Sequence, residues 1–167
     1  MIVFVEDECH LLGGDTLGYG WGRRNERRAI PLKNVTQRQT SYGVMNLYHQ
    51  AFTVTLYARG NGKNTVAFLT YLQRRHPDKK LILIWERARY HGGKEIQAYW
   101  RTVNQGLEEK DGKVTWLLFA PNAPDQNPVE DIWLQGKNFL RRHFYGSSMV
   151  LVEPNADRYH VGVWDFL

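Results

Sequence analysis

The sequence predicts an α/β protein built on a mixed β-sheet. Strand-like segments dominate its first part, whereas helices and strands alternate from about residue 64 onward. The run Leu81–Trp85 is apolar at every position, which is typical of a parallel strand covered on both faces. A strand-rich start followed by helix, strand, helix, strand and helix predicts antiparallel strands first and parallel crossover connections afterwards.

The elements of the first part are recognised by short apolar or alternating runs. Ile2–Val5 is an apolar run that predicts a buried strand, and alternating apolar residues over 17–21 predict a second one. Ser41–Tyr48 and Phe52–Tyr57 are strand-like and are separated by only a short segment. This spacing predicts a β-hairpin.

The first predicted helix follows a Gly-Asn-Gly breaker at residues 60–62. Asn64 is a plausible N-cap, and the helix is expected to run to about His76, just before a proline. Val66, Leu69 and Leu72 would line its inner face.

The remaining elements are a helix over about Lys94–Val103, a strand at Trp116–Phe119 and a helix over residues 128 to about 144. The segment after Gly146 has the least readable pattern, although Met149–Val152 could form a strand. We therefore predict one α/β domain over residues 1–146 and a C-terminal tail of unclear structure over 147–167.

Composition and charge narrow the class of protein. A chain of 167 residues with 43% hydrophobic residues is expected to form one globular domain. Its net charge of +5 suits a polyanionic partner. The single cysteine, Cys9, excludes an intramolecular disulfide framework. The sequence has no apolar run of the roughly 18 residues that span a membrane and no secretory signal pattern, so we expect a soluble, cytoplasmic protein.

Carboxylates follow two predicted strands and open the last predicted helix. The acids of residues 6–8 follow the first strand, Glu86 follows Leu81–Trp85, and Glu130 lies in the first turn of the last helix. Acids at the ends of buried strands lie where the core of a sheet meets water, so they can converge on a cation. Beside a basic, aromatic-rich segment, such acids indicate metal-dependent chemistry on a phosphate backbone.

Each acid also has a structural interpretation. Glu130 is the third residue of a helix capped by Asn127, which is the place of a capping-box glutamate. Glu86 is close to arginines and could be a surface ion-pair partner. Residues 6–8 point alternately to the two faces of their strand, and nothing local indicates which face matters.

A basic segment follows the predicted second strand. Arg23, Arg24, Arg27 and Arg28 come shortly after the aromatic residues at 19 and 21. On a hairpin, these side chains could contact backbone phosphates and stack on splayed bases, and a solvated basic loop is the alternative. His91 could orient a substrate or be a buried loop histidine.

The motifs resemble those of a known family. The segment over residues 120–133, with sequence APNAPDQNPVEDIW, closely resembles the last catalytic motif of mariner-superfamily DDE transposases. In that motif prolines, then Asn-Pro, an aliphatic residue and Glu lead into a helix carrying Trp. Phe4–Glu8 resembles the strand with the first catalytic Asp, and Trp85–His91 resembles the second motif. The resemblance extends over about residues 2–145 and is closest to bacterial insertion-sequence transposases.

This resemblance implies an RNase H-like fold and a two-metal site for Mg²⁺ or Mn²⁺. It assigns the metal ligands and catalytic acids to Asp7, Glu86 and Glu130, and it adds His91 and Asn127 to the arginines as DNA-contacting residues. The implied activity is cleavage of transposon DNA ends followed by strand transfer. The implied partners are double-stranded DNA, a second copy in an active homodimer and an upstream end-binding domain.

The sequence departs from the family pattern in three places. The second acid of the family is Asp, whereas this chain has Glu86; the extra methylene adds roughly 1.5 Å, and catalytic metals tolerate only about half an ångström of error. The helix-turn-helix domain that reads transposon ends has no counterpart in the chain, and the resemblance fades after about Tyr145. These departures predict impaired activity, and they keep two alternatives open: a catalytically inactive DNA-binding remnant and an RNase H-like structure-selective nuclease.

Overall fold

The computed structural model describes residues 1–12, 24, 38–121, 124–143 and 161–164. The strands in these ranges are β1 (Ile2–Leu12), β2 (Arg38–Asn46), β3 (Phe52–Tyr57), β4 (Leu81–Trp85), β5 (Val114–Leu118) and β6 (Val161–Trp164). The α-helices are α1 (Gly62–Arg75), α2 (Lys94–Val103) and α3 (Pro128–His143), and short 3-10 turns occur at Glu109–Asp111 and Pro124–Gln126. No helix in the described ranges has both the length and the apolar character that crossing a membrane requires.

The strands form one six-stranded sheet in the order β5-β4-β1-β2-β3-β6. β1, β2 and β3 pair antiparallel, whereas β4 pairs parallel to both β1 and β5. The predicted mixed sheet, with antiparallel strands first and parallel strands later, is confirmed. The predicted strand over residues 17–21 lies outside the described residues, as does Met149–Val152.

Helices cover both faces of the sheet. The larger core lies under α1 and α2, where apolar side chains from β1, β2, β4 and β5 meet buried residues of both helices; its central members include Phe4, Tyr42, Phe68, Leu83 and Ile96. A second apolar cluster lies under α3, and its buried members are Val5, Phe52 and Val129. Because successive residues of a strand point to opposite faces, Phe4 and Val5 of β1 enter different cores.

The first strand is longer than predicted, and this changes the setting of its acids. β1 continues through Leu12 because β2 pairs with it from Phe4 to Leu12. The acids at residues 6–8 therefore lie within β1, whereas the sequence placed them just beyond its end. Their backbone groups are held by the sheet, so their side-chain directions are fixed by strand alternation.

Helix α1 also begins differently from the prediction. Its N-cap is Asn61, whose side-chain oxygen accepts a hydrogen bond from the backbone N–H of Asn64 at 2.9 Å. The predicted cap, Asn64, lies inside the helix. The absence of a side chain at Gly62, the first residue of α1, leaves room for Glu95, because a Cβ there would lie only 2.9 Å from the Glu95 carboxylate.

The other boundaries agree closely with the sequence. β4 and α2 have the predicted limits, and α3 begins at Pro128 as predicted. β5 covers Val114–Leu118, two residues earlier at its start than the predicted strand. The sequence did not predict β6, which pairs antiparallel with β3. The domain boundary at residue 146 stays a prediction.

Candidate active site

Strand register brings two of the predicted acids together. β1 and β4 run parallel with Val5 opposite Ile84, so Asp7 and Glu86 lie side by side just past the end of β4. Alternation puts both on the face covered by α3. Ligand oxygens of Asp7, Glu86 and Glu8 lie within 4.8 Å of one another. The carboxyl edge of β4 therefore carries a cluster of three acids.

The charged form of Asp7 is strongly disfavoured in this cluster. Asp7 is only 8% exposed. Burial, followed by the negative charges of Glu86 and Glu8, raises its pKa to about 7 from 3.8. Two contacts act in the opposite direction: the Glu8 backbone N–H donates to Asp7 Oδ1 at 2.9 Å, and the Asn127 side chain hydrogen-bonds the carboxylate.

The donor set of this cluster fits a hard divalent cation. Carboxylate oxygens are the ligands that Mg²⁺ and Mn²⁺ prefer. Converging carboxylates repel one another unless a cation neutralises them, and this repulsion adds to burial, the larger cause, in raising the pKa of Asp7. The residues of the site are therefore chemically suited to the cation that the family resemblance implies.

The N-terminus of α3 packs beside Asp7. The Asn127 side-chain oxygen accepts a hydrogen bond from the Val129 backbone N–H at 3.1 Å, which confirms Asn127 as a helix cap. Asn127 is only 8% exposed, and its side chain also reaches Asp7. We therefore propose that Asn127 holds the start of α3 next to Asp7 and does not contact DNA directly.

Glu130 lies one turn into α3 with an exposed side chain. Its backbone N–H donates to the Asn127 carbonyl at 3.2 Å, while its carboxylate makes no hydrogen bond to another described residue. The capping-box contact is thus absent from the described part of the chain. Glu130 also belongs to neither group of three possible metal ligands found among the described residues. The structure brings Asp7 and Glu86 together and leaves Glu130 at the rim, on the helix next to them.

Trp133 fixes the position of α3 on the sheet. Its ring packs edge-on against Phe52, with centroids 5.3 Å apart. Both rings lie over Gly43, where a Cβ would be 2.5 Å from an atom of each ring. Gly43 is the cross-strand partner of Asp7. The missing side chain on β2 therefore allows α3 to approach the sheet next to the first acid.

His91 supports the acidic cluster from the other face of the sheet. It is 3% exposed, and its ring stacks on Trp85 with centroids 4.2 Å apart. Nδ1 lies 3.0 Å from the Glu86 carbonyl oxygen, and Nε2 lies 3.0 Å from Glu8 Oε1. Burial lowers the pKa of His91, but the hydrogen bond and charge of Glu8 outweigh it and the net pKa is raised. Because both ring nitrogens are engaged within the protein, we assign His91 to the support of the site rather than to DNA.

The predicted basic segment is described at a single position. Arg24 is exposed in a turn, whereas Arg23, Arg27 and Arg28 lie outside the described residues. Burial and the charges of Arg38 and Lys137 lower the pKa of His10, and the charges of Glu8 and Glu86 act on the same histidine in the opposite direction. Two cations that the sequence analysis did not select and two acids of the cluster therefore act on one residue of β1.

Two properties of the first strand were not predicted from the sequence: Glu8 is a possible metal ligand, and Glu6 is a buried acid without a hydrogen-bond partner among the described residues. Glu6 is fully buried, and neither of its carboxyl oxygens has a hydrogen-bond partner among the described residues. Burial, then the charges of Glu8, Asp7 and Glu86, raise its pKa well above the usual value. The only sequence signal for these two residues was their position in the run of three acids.

Known structures share this fold. A Mos1 transposase paired-end complex with the left transposon end matches with a TM-score of 0.57 and 14% identity, covering 83% of this chain and 41% of that chain. A chain of the simian T-cell lymphotropic virus intasome matches with a TM-score of 0.58 and 10% identity, covering 86% and 41%. The Mos1 mariner paired-end complex with Mn gives a TM-score of 0.52 at 13% identity, covering 83% and 42%. These likenesses confirm the predicted RNase H-like fold.

The chain spans less than half the length of these matched chains. No curated protein matches its sequence significantly. A family model described as DDE superfamily endonuclease matches residues 2–151, which include the three predicted motifs. The resemblance to DDE enzymes is thereby confirmed, and the chain belongs to the DDE superfamily endonuclease family.

Proposed function

We propose that this chain is the catalytic core of a bacterial insertion-sequence transposase that cleaves transposon DNA ends and joins them to target DNA. The observation that carries the proposal is the convergence of Asp7 and Glu86 at the edge of β4, with Glu8 in the same cluster. Family membership supports the reaction class. The positive side chains of Arg38 and Lys137, which act on the same histidine as Glu8 and Glu86, suit a DNA backbone.

In this proposal Asp7, Glu86 and Glu130 hold Mg²⁺ or Mn²⁺. Two such ions, when bound, would activate the attacking water or DNA 3′-hydroxyl and stabilise the leaving oxygen of an in-line displacement. Glu130 is included because the family motif assigns it and because it follows the helix cap that touches Asp7.

The residues of the chain itself would prepare the site. Strand pairing holds Asp7, while the hydrogen bond from His91 to the Glu86 carbonyl restrains the segment that leaves β4. Asn127 donates to Asp7 and so favours its charged form, which is the form that binds a cation. Lys137 and Arg38 would contact phosphates and position the DNA without reading its sequence.

Glu86 in place of the family Asp is expected to limit the rate. A reacting group that is misplaced by about 1 Å can cost on the order of a hundredfold in rate. The carboxylate of Glu86 lies close to that of Asp7, so we propose that the chain retains metal binding and a reduced rate of cleavage.

A cleavage assay on supercoiled plasmid with Mn²⁺ tests the proposal. The unmodified chain should nick the plasmid, and Asp7→Asn and Glu130→Gln should abolish nicking. Asp78→Asn, which changes an exposed acid in the turn between α1 and β4, should not affect it. Nicking that survives Asp7→Asn would refute the assigned site. If the unmodified chain binds DNA but does not nick it, the alternative of an inactive DNA-binding remnant is correct. Nicking without strand transfer would instead favour the structure-selective nuclease.

The proposed setting is the cytoplasm, at the nucleoid, with double-stranded DNA as the partner and a homodimer as the active assembly. Sequence-specific readout would come from an upstream end-binding domain, because direct readout places a helix or ribbon in the major groove. Phosphate contacts alone give roughly micromolar or weaker binding. A competition gel shift at fixed salt should therefore show little preference for a terminal repeat over scrambled duplex.

A further inference from the structure

Glu6 has no role in the proposed chemistry, although it lies in the middle of the acidic strand. Its side chain points away from Asp7, toward the face of the sheet that α1 and α2 cover. Both carboxyl oxygens are buried without a hydrogen-bond partner among the described residues. Burying a polar group without such a partner costs roughly 1–3 kcal/mol on mutational evidence. A buried acid in this state requires a physical explanation.

The Glu6 carboxylate faces the imidazole of His91. Glu6 Oε2 is 3.9 Å from His91 Nε2, and Glu8 Oε1 is 3.0 Å from the same nitrogen. Ligand atoms of the three residues lie within 4.8 Å of one another. The three side chains have at most 2% of their surface exposed. They form an enclosed cluster with one nitrogen and several oxygen donors.

The other ring nitrogen of His91 determines what Nε2 presents. Nδ1 lies 3.0 Å from the Glu86 carbonyl oxygen, and a carbonyl only accepts, so Nδ1 carries the hydrogen. The contact between Nε2 and Glu8 Oε1 is a hydrogen bond when one of the two carries a proton; in place of that proton, a cation would meet the lone pair of Nε2 and the carboxylate oxygens. Histidines that bind metals commonly donate their other N–H to a carbonyl or carboxylate, which fixes the tautomer and the ring. Stacking on Trp85 fixes the ring plane further.

The spacing of the donor atoms is close to that of a metal site. Ligand atoms each about 2.1 Å from a common ion are about 3.0–3.4 Å apart for right-angled to tetrahedral arrangements. The Glu8-to-His91 distance of 3.0 Å falls in this range, and the Glu6-to-His91 distance of 3.9 Å exceeds it. A shift of roughly half an ångström by the Glu6 carboxylate would bring the Glu6-to-His91 distance into this range.

We propose that Glu6, Glu8 and His91 form a second cation site, which takes a divalent transition-metal ion such as Co²⁺, Zn²⁺ or Mn²⁺. Imidazole favours these ions over Mg²⁺, which prefers oxygen ligands and retains water. The site goes beyond the proposed function, because two of its three ligands are not ligands of the Asp7 and Glu86 cluster. A cation there would neutralise the buried acids and hold His91, whose Nδ1 restrains Glu86.

Cobalt titration of the purified chain tests this proposal through stoichiometry. Visible absorption and calorimetry should give one equivalent of Co²⁺ fewer for Glu6→Gln, which keeps the shape of the side chain, than for the unmodified chain. His91→Gln should also lose one equivalent, with affinity for the lost site at least about a hundredfold weaker, since even outer partners of a metal ligand are worth 10–100-fold. His49→Gln, which changes an exposed turn histidine, should bind as many equivalents as the unmodified chain.

A measurement on the unmodified chain removes any dependence on how the variants fold. Pulsed electron paramagnetic resonance of bound Mn²⁺ should detect coupling to an imidazole nitrogen, and that coupling should remain in Asp7→Asn. Co²⁺ binding that is lost in Asp7→Asn but undiminished in Glu6→Gln would overturn the inference and leave the proposed function intact, because a proton would then hold the cluster of Glu6, Glu8 and His91. Absence of imidazole coupling would also overturn it. If neither Co²⁺ nor Mn²⁺ binds to the chain, both the further cation site and the proposed metal-dependent function are wrong.

Discussion

Replacing Asp7 by Asn should stabilise the metal-free protein while removing its response to metal. The pKa of Asp7 stands at about 7 instead of 3.8, because burial and neighbouring acids oppose its charge. At about 1.4 kcal/mol per pH unit, the charged form costs on the order of 4 kcal/mol above pH 7. Asn removes the charge, and its side-chain oxygen can still accept the hydrogen bond from the Glu8 N–H. We expect a gain of roughly 2–4 kcal/mol in the free energy of unfolding at pH 7.5, or about 5–10 °C in Tm.

The pH dependence has a definite sign. A folded-state pKa above the unfolded value means that the stability contribution is fully present below pH 3.8 and is lost as the pH rises through about 7. Glu6, whose pKa is also raised, acts in the same direction. The Tm of the unmodified chain in EDTA should therefore fall between about pH 4 and pH 7, and Asp7→Asn should flatten part of that fall.

Thermal denaturation followed by circular dichroism, with and without Mn²⁺, measures both effects. At a concentration 100 times the Kd, Mn²⁺ should stabilise the unmodified chain by about 2.7 kcal/mol and should stabilise Asp7→Asn far less. Asp78→Asn, at an exposed position, is the matched control and should behave like the unmodified chain. A lower Tm of Asp7→Asn in EDTA at pH 7.5 would show that the Asp7 charge does not destabilise the fold, and full stabilisation of this variant by Mn²⁺ would show that the ion binds elsewhere.

Three further changes test other parts of the site. Gly43→Ala places a Cβ 2.5 Å from atoms of Phe52 and Trp133, so urea unfolding should show a loss of about 1–3 kcal/mol; unchanged stability would show that α3 moves away without cost. Asn127→Ala removes the cap of α3 and the hydrogen bond to Asp7, so stability at pH 7.5 should fall by about 1 kcal/mol, and an unchanged value would show that water replaces the cap. Glu86→Asp restores the acid that the family has at this position and should increase Mn²⁺-dependent plasmid nicking by up to about a hundredfold; no gain would place the limit on the rate elsewhere.

Local patterns were sufficient to predict the mixed sheet and much of the site. The apolar run Leu81–Trp85 identified the central parallel strand, and the acid that follows it lies beside Asp7 as expected from parallel register. Asn127 and Pro128 identified the start of α3. These features depend on residues close together in sequence, so periodicity and capping rules captured them.

The features that the sequence did not reveal depend on contacts between distant segments. β1 continues to Leu12 because β2 pairs along it, which no local pattern within β1 indicates. Glu8 joins the acidic cluster, and His91 is buried by Trp85 and Glu8, only after β1 and the segment after β4 have come together. Likewise, the role of Gly43 follows from its position opposite Asp7 and beneath Trp133.

Anomalous diffraction from crystals soaked in Mn²⁺ would show directly whether Asp7 and Glu86 hold a metal ion. We expect a manganese peak within about 2.2 Å of carboxylate oxygens of both Asp7 and Glu86, with the Glu130 side chain turned toward it. The peak should be absent in crystals of Asp7→Asn. Manganese bound only at other surface acids, with Asp7 and Glu86 free of it at saturating concentration, would contradict the assignment of the metal site.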